Sequence, residues 1–321
     1  MVFDFINGFH DSANAIATVV ATKVLSPIKA VTMAAIFNLA GPLVFGTAIA
    51  TTMGKGIIDS HVITVNLIFA AIMGAIIWDL ITWYLALPTS SSHALVGGLV
   101  GAGIAAAGTG SVNAKGVETI VLFMVISPII GLVIGFFFAL LIMRGFRKSH
   151  PSTINHYFRR LQLFSSAFYS LTHGTNDAQK TMGIIAILLV SSSISTPMST
   201  SGLPIPLWVI VSCAGAIGLG TFFGGWRIVK TMAQRVTRLR PYQGFSAETS
   251  SGLVLASMAA LGIPVSTTHV ISSSIMGVGA TDKLSAVRWG IARKIVGAWI
   301  LTIPVAALIS ASVYLIMSSL L

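Results

Sequence analysis

Charge is scarce in this chain of 321 residues: only 8% are Asp, Glu, Lys or Arg, and just eight are acidic. Soluble domains carry about 25% charged residues, whereas 55% of this sequence is hydrophobic, so a water-soluble fold is excluded. Cysteine is nearly absent as well. The single Cys213 excludes an intramolecular disulfide framework and a cysteine-held metal cluster, and reads as a small apolar packing residue. The opening "MVFDFINGFHD" lacks the basic segment of a cleavable signal, and Asp4 and Asp11 interrupt the apolar stretch that such a signal needs. A few residues before Asp11 cannot carry a helix from a membrane surface to its centre at about 1.5 Å per residue. The first helix is therefore expected to be short, or to begin upstream of Met1.

What the chain has in abundance is length without charge. "TIVLFMVISPIIGLVIGFFFALLIM" (119–143) is uncharged and exceeds the ~20 residues that cross ~30 Å of hydrocarbon as a helix. Apolar runs predict spans near 2–22, 30–52, 117–143, 163–190, 207–226 and 290–318. Two further regions, 63–108 and 247–280, are broken midway by polar stretches with proline and read as re-entrant hairpins. The net charge of +11 raises nucleic acid as a partner, but its placement excludes that reading. Loops near 23–29, 144–160, 227–246 and 281–294 hold sixteen of the nineteen basic residues, the pattern of cytoplasmic loops in a multi-pass inner (plasma) membrane protein. These clusters could also touch anionic lipid heads. Lys55, Lys115 and the uncharged loop 191–206 then fall outside, and Lys180 within a span.

The chain repeats itself. "LALPTSSSHALVGGLVGAG" (85–103) aligns without gaps to "LGIPVSTTHVISSSIMGVG" (261–279), and "GFHD" (8–11) aligns to "GTND" (174–177). In the span order above, the first aspartate helix runs inward and the second outward. The pattern predicts an all-α polytopic membrane fold: an inverted-topology repeat whose two re-entrant helical hairpins meet near the midplane, the plan of secondary transporters. The first repeat is expected over 1–110, a connecting span and basic loop over 111–160, the second repeat over 161–285, and a C-terminal span over 286–321.

Buried carboxylates cost roughly 2.5–3.5 kcal/mol at a helix centre, and a duplicated one points to a shared task. Asp11 with Asn14, and Asp177 with Lys180, are three apart and share a helix face. Asn7, Asn176 and Gln179 add amides nearby. "PTSSSH" and "PVSTTH" suit anion capture: proline opens a helix whose free N–H groups and hydroxyls, at Ser91, Ser92, Thr267 and Thr268, face an oxyanion. His93 and His269 are candidate proton relays, with a structural bond to a backbone carbonyl as the alternative. Glu248 could bind a driving cation or a proton, or cap an interfacial helix; Asp79 has no duplicate and is left unassigned. An intramembrane hydrolase needs one nucleophile, base and orienting group, whereas every candidate here occurs twice. A passive anion channel would be poorly lined by paired carboxylates.

With "GFHDSANAIAT", "GTNDAQKTMG", "PTSSSH" and "PVSTTH" in place, the chain resembles the PiT family of inorganic phosphate transporters along nearly its whole length. The resemblance implies cation-coupled symport of inorganic phosphate by alternating access, with no enzymatic activity. It implies that Asp11 and Asp177 are essential and that the two Ser/Thr segments contact the anion. Asn38 stands where sodium-coupled members carry glutamate, and Lys180 where they tend to carry asparagine, while Glu248 matches the family's acid in the second half. Both departures favour the bacterial, proton-coupled branch, which resembles a carrier of neutral metal–phosphate complexes. Sodium coupling, or another tetrahedral oxyanion such as sulfate, is the alternative. The expected phosphate contacts are Asp11, Asn14, Ser91, Ser92, Asp177, Gln179, Lys180, Thr267 and Thr268; the expected coupling residues are Asp11, Asn38, Asn176, Asp177 and Glu248. No resident metal or cofactor is expected beyond the co-transported proton or sodium, or a divalent metal travelling with phosphate. A homodimer is left open.

Overall fold

A computed structural model describes residues 1–192, 194 and 203–320, the side chain of Lys55 excepted. Among the described residues twelve α-helices run in order: α1 Val2–Ala21, α2 Pro27–Val44, α3 Ala48–Gly56, α4 Val65–Tyr84, α5 Ser91–Ala107, α6 Ala114–Gly145, α7 Pro151–Ser191, α8 Leu207–Phe223, α9 Trp226–Lys230, α10 Pro241–Ala260, α11 Thr267–Ala280 and α12 Trp289–Leu320. Their only β pairing among the described residues is a single bridge, Ile58 to Val112. Proline stands at the first position of α2, α7 and α10, where its missing N–H leaves nothing unpaired.

Three segments differ from the sequence expectation. The run 30–52 is two helices, α2 and α3, parted where Gly46 takes a φ of +73°, a backbone that favours glycine. The basic stretch 227–246 holds α9, a π-helix over Thr231–Val236 and the start of α10 rather than a loop. Gly224, at φ +67°, ends α8, and the chain bends 58° into that next segment. α7 starts at Pro151, well before the expected 163, and so carries Arg159 and Arg160 on a helix. The expected outer loop 191–206 lies largely outside the described residues.

The repeat is visible in the packing. α1 lies against α8 as α7 lies against α2, and α5 against α12 as α11 against α6. The same glycines permit both contacts of each pair. A Cβ on Gly8 would stand 2.2 Å from the Ile217 carbonyl, and one on Gly174 2.2 Å from that of Asn38. Gly101 presses on Ala307 as its counterpart Gly277 presses on Leu132. Even the bends after α4 and α10 correspond, with Ala86 at φ +56° and Gly262 at φ +67°.

The halves are inverted. Along α1, Asp11, Ala15 and Thr22 meet Asp177, Ser166 and Gln162 of α7 in turn, so the two equivalent helices run antiparallel. Ahead of α4 and behind α5, the chain is joined by Asp59 N–H to Ser111 O and Asn113 N–H to Ile57 O, both 2.9 Å. Ahead of α10 and behind α11, Thr237 Oγ1 donates to Ala286 O at 3.1 Å. Each helical hairpin thus returns to the end it left, and the two ends are opposite. The basic segments gather at the α10–α11 end, where Arg159 donates to Lys23 O at 2.7 Å and Arg288 to Gln234 O at 3.4 Å.

The molecule is apolar outside and polar within. α2, α4, α6 and α12 are long and apolar enough to cross a membrane, and α6 and α12 expose Leu122, Ile129, Phe137, Ile300 and Leu308. Asp11 and Asp177 instead sit on α1 and α7, buried at the centre. Cys213 is buried in a small apolar cluster with Met182 and Ile217.

Candidate functional site

The bundle brings the two aspartates together with a histidine. Ligand atoms of Asp11, His173 and Asp177 all lie within 4.8 Å of one another, and all three residues are buried. Each carboxylate has a cation-capable neighbour on its own helix. His10 Nδ1 is 2.7 Å from Asp11 Oδ1, and Lys180 Nζ donates to Asp177 Oδ1 at 2.7 Å.

Both helix tips reach this centre. Ser90 caps α5 by accepting from His93 N–H at 3.3 Å, and Ser266 caps α11 through His269 N–H at 3.2 Å. The N–H groups of Ser91, Ser92, Thr267 and Thr268 occupy the first turns, where the helix leaves them without an intrahelical acceptor. The tips are used differently. Thr267 Oγ1 donates to Asp177 Oδ2 and Thr268 Oγ1 to Asp11 Oδ2, each at 3.1 Å, while Asn14 Nδ2 donates to Thr268 Oγ1 at 2.9 Å. The α5 tip meets an ammonium instead: Lys180 Nζ donates to Ser92 Oγ at 2.5 Å and to Val265 O, just ahead of α11, at 2.8 Å. Lys180 therefore ties one acid to both tips.

A chain of hydrogen bonds orients His173. The Thr221 hydroxyl donates to Ile217 O at 2.8 Å, so it accepts from Asn38 Nδ2 at 2.8 Å. The Asn38 amide oxygen then accepts a hydrogen bond from His173 Nδ1 at 3.1 Å. His173 Nε2 then lies 3.3 Å from Asp177 Oδ2. A nitrogen and a carboxylate oxygen this close in a buried site can share a proton or a cation. The donor set of two carboxylates and one imidazole fits a proton or a small metal ion, with Asp11, His173 and Asp177 as the holding groups.

Other expected site residues lie elsewhere. Gln179 Oε1 accepts from Ile49 N at 2.9 Å and so ties α7 to the start of α3. Asn176 Nδ2 donates to Thr172 O and to Leu255 O at the end of α10. Glu248 has its own polar nest, accepting from Thr18 Oγ1 at 2.5 Å, Gln162 Nε2 at 3.1 Å and Ser165 Oγ. His93 and His269 lie ring against ring with centroids 4.7 Å apart, and His269 stacks on Trp299 at 3.9 Å. Among the described residues no hydrogen bond links either ring to the acids. Sequence reasoning passed over His10 and His173. Their positions, one before Asp11 and four before Asp177, were the available signal.

Inverted hairpins that bring two hydroxyl-lined helix tips to a centre with paired buried carboxylates suit a carrier, and comparison with known proteins agrees. The chain belongs to the phosphate transporter family, whose model matches residues 7–310. It is 51% identical to a probable low-affinity inorganic phosphate transporter of Rhizobium meliloti, over 98% of this chain and 93% of that one. A Bacillus subtilis protein of the same description is 44% identical over 99% and 95% of the two chains. Among solved structures, one titled the sodium-dependent phosphate transporter superposes with a TM-score of 0.87 at 26% identity, covering 100% of this chain and 97% of that one. The chain is thus a membrane phosphate transporter of the PiT family and not an enzyme.

Proposed function

We propose that this protein carries inorganic phosphate across the bacterial cytoplasmic membrane by symport, with protons as the coupling ion and with metal–phosphate complexes among its substrates. Phosphate sits between the first turns of α5 and α11. It is held by the backbone N–H groups and hydroxyls of Ser91, Ser92, Thr267 and Thr268, with Asp11, Asn14, Asp177 and Lys180 completing the surroundings. Two helix N-termini each bring about half a positive charge, which suits an anion without a dedicated pair of arginines.

One observation carries the coupling: the Lys180 ammonium, held by Asp177 Oδ1, Ser92 Oγ and Val265 O. Three oxygens around a small cation resemble a sodium site already filled by the protein's own charge, which argues against a sodium ion there. A phosphate arriving at Ser92 draws the ammonium toward itself. Asp177 then loses its partner in a medium where an unpaired carboxylate is costly, and it takes a proton or shares a metal ion with His173 and Asp11. Anion and cation thereby bind together, which symport requires. Asn38 orients His173, and Glu248 and Asn176 belong to the helices that must shift as the halves rock.

Sodium coupling is the second reading, favoured by the close superposition on the sodium-dependent structure. Uptake of radiolabelled phosphate into proteoliposomes separates the two. An imposed proton gradient should drive accumulation without sodium, and magnesium should raise it. Accumulation driven by sodium alone at constant pH would reject proton coupling.

A further inference from the structure

Behind the tip of α5 lies an acid that the second half lacks. Asp79 on α4 is fully buried, and neither carboxylate oxygen has a hydrogen-bond partner among the described residues. Beside it stands the hydroxyl of Ser91, the first residue of α5, which is also buried and unpartnered among the described residues. By the alignment of the hairpins, the counterpart of Asp79 is Leu255 and that of Ser91 is Thr267. In the second half the tip hydroxyl already serves Asp177 at 3.1 Å. In the first half the tip hydroxyl has the Asp79 carboxyl as its neighbour and no other partner among the described residues.

We infer that Asp79 is a proton-linked gate on the anion site: an ionised Asp79 and a phosphate at the tip of α5 exclude one another, so the anion binds there when Asp79 is protonated. The inference rests on the reading of the paired tips as the phosphate site. The physical ground is competition for one set of donors. The Ser91 hydroxyl and the positive end of α5 can satisfy a carboxylate or an oxyanion, and two anions side by side out of water repel. A neutral carboxyl can instead donate to the phosphate-bearing tip or stand aside.

The groups facing Asp79 do not supply a fixed partner that would cancel this competition. The titratable groups within electrostatic reach of it are His10 and Asp11 on α1 and Asp177 on α7. His10 is engaged by Asp11 Oδ1 at 2.7 Å and by Thr82 Oγ1 at 3.1 Å, and Asp177 holds Lys180. α5 offers Ser91. On α12, Thr302 accepts from Trp78 Nε1, the residue before Asp79, at 3.2 Å; Arg293 and Lys294 of that helix are exposed, and Tyr314 is about three turns further along it. On α9, Arg227 is exposed, over the rings of Trp83 and Tyr84, and Lys230 is exposed too.

The test is equilibrium binding of radiolabelled phosphate to the full chain in nanodiscs between pH 5.5 and 9, for the wild type, Asp79→Asn and Asp79→Leu. Phosphate's own ionisation affects all three alike, so the ratio of variant to wild-type affinity is the readout. At the acid end the ratio should be near one. At the alkaline end either neutral variant should bind roughly ten- to hundredfold tighter, the effect of removing a like charge at an effective dielectric of about 20. Asp79→Glu should restore the wild-type profile, which a purely structural role would not require. A ratio that does not change with pH in either neutral variant overturns the gate. Thr268→Val distinguishes the two levels: if it weakens binding while the ratio stays flat, only the gate is wrong, and if it leaves binding intact, the tip site itself is wrong and the gate with it.

Discussion

Asp177, unlike its counterpart Asp11, touches an ammonium: it holds Lys180, accepts from Thr267 and lies beside His173. Asp177→Asn removes a charged hydrogen-bond acceptor, worth about 1.5–3 kcal/mol per bond. Phosphate uptake by vesicles should fall roughly a hundredfold while the amount of protein inserted in the membrane stays near normal. Near-normal uptake would remove Asp177 from the site. Lys180→Asn tests the coupling at its source. It empties the position among Asp177, Ser92 and Val265, so proton-driven uptake should drop at least tenfold, as expected for a lost buried ion pair, and sodium should begin to stimulate what remains. Unchanged proton drive would refute the role given to the ammonium. The aspartates, Lys180 and the hydroxyls could be named from the sequence because they sit in two short duplicated motifs. The bond from Asn38 to His173 could not, because it joins residues far apart in the chain through a crossing of α2 and α7.

At the scale of the helices, glycine sets how closely the halves approach. Gly174 has no room for a Cβ against the backbone of Asn38, and that crossing fixes where Asn38 meets His173. Gly174→Ala should cost about 1–3 kcal/mol as overpacking, read as a lower unfolding midpoint in detergent, and should weaken phosphate binding with it. Gly215, by contrast, has no atom within 4 Å of a built Cβ, so Gly215→Ala should leave both unchanged. Equal effects of the two would show that the α2–α7 contact is not limiting. The caps behave similarly: Ser266→Ala should cost about 1 kcal/mol and loosen the first turn that carries Thr267 and Thr268. Which glycine meets which helix was not legible in the sequence, because α5 packs on α12 and α11 on α6 across the repeat boundary. The lengths of α7 and of the α9 segment were missed for a related reason. Their basic residues lie on helices that reach the charged end of the molecule, and hydropathy reads charge as loop.

Taken whole, the molecule is two antiparallel copies of one plan whose differences matter as much as their likeness. α11 supplies both hydroxyls that bond the aspartates, while α5 meets Lys180 and Asp79. The duplication was readable in the sequence as paired motifs, and the antiparallel direction came from counting spans. The asymmetry was not, since it depends on which side chains turn toward which tip once the halves are packed. The site spans both halves, so a ligand there should stabilise the molecule as a unit, by RT ln(1 + [L]/Kd). A hundredfold excess of phosphate over Kd should add about 2.7 kcal/mol, seen as one cooperative shift of the unfolding transition. Two transitions, with only one moved by phosphate, would show that a single half carries the site.

The most direct measurement is an experimental structure of the protein with bound phosphate. Density for one anion is expected between the first turns of α5 and α11, within hydrogen-bond reach of Ser92 and of Thr267 or Thr268, with the Lys180 ammonium turned toward it. An anion held by one half alone, or outside the space between the two tips, would contradict the shared central site.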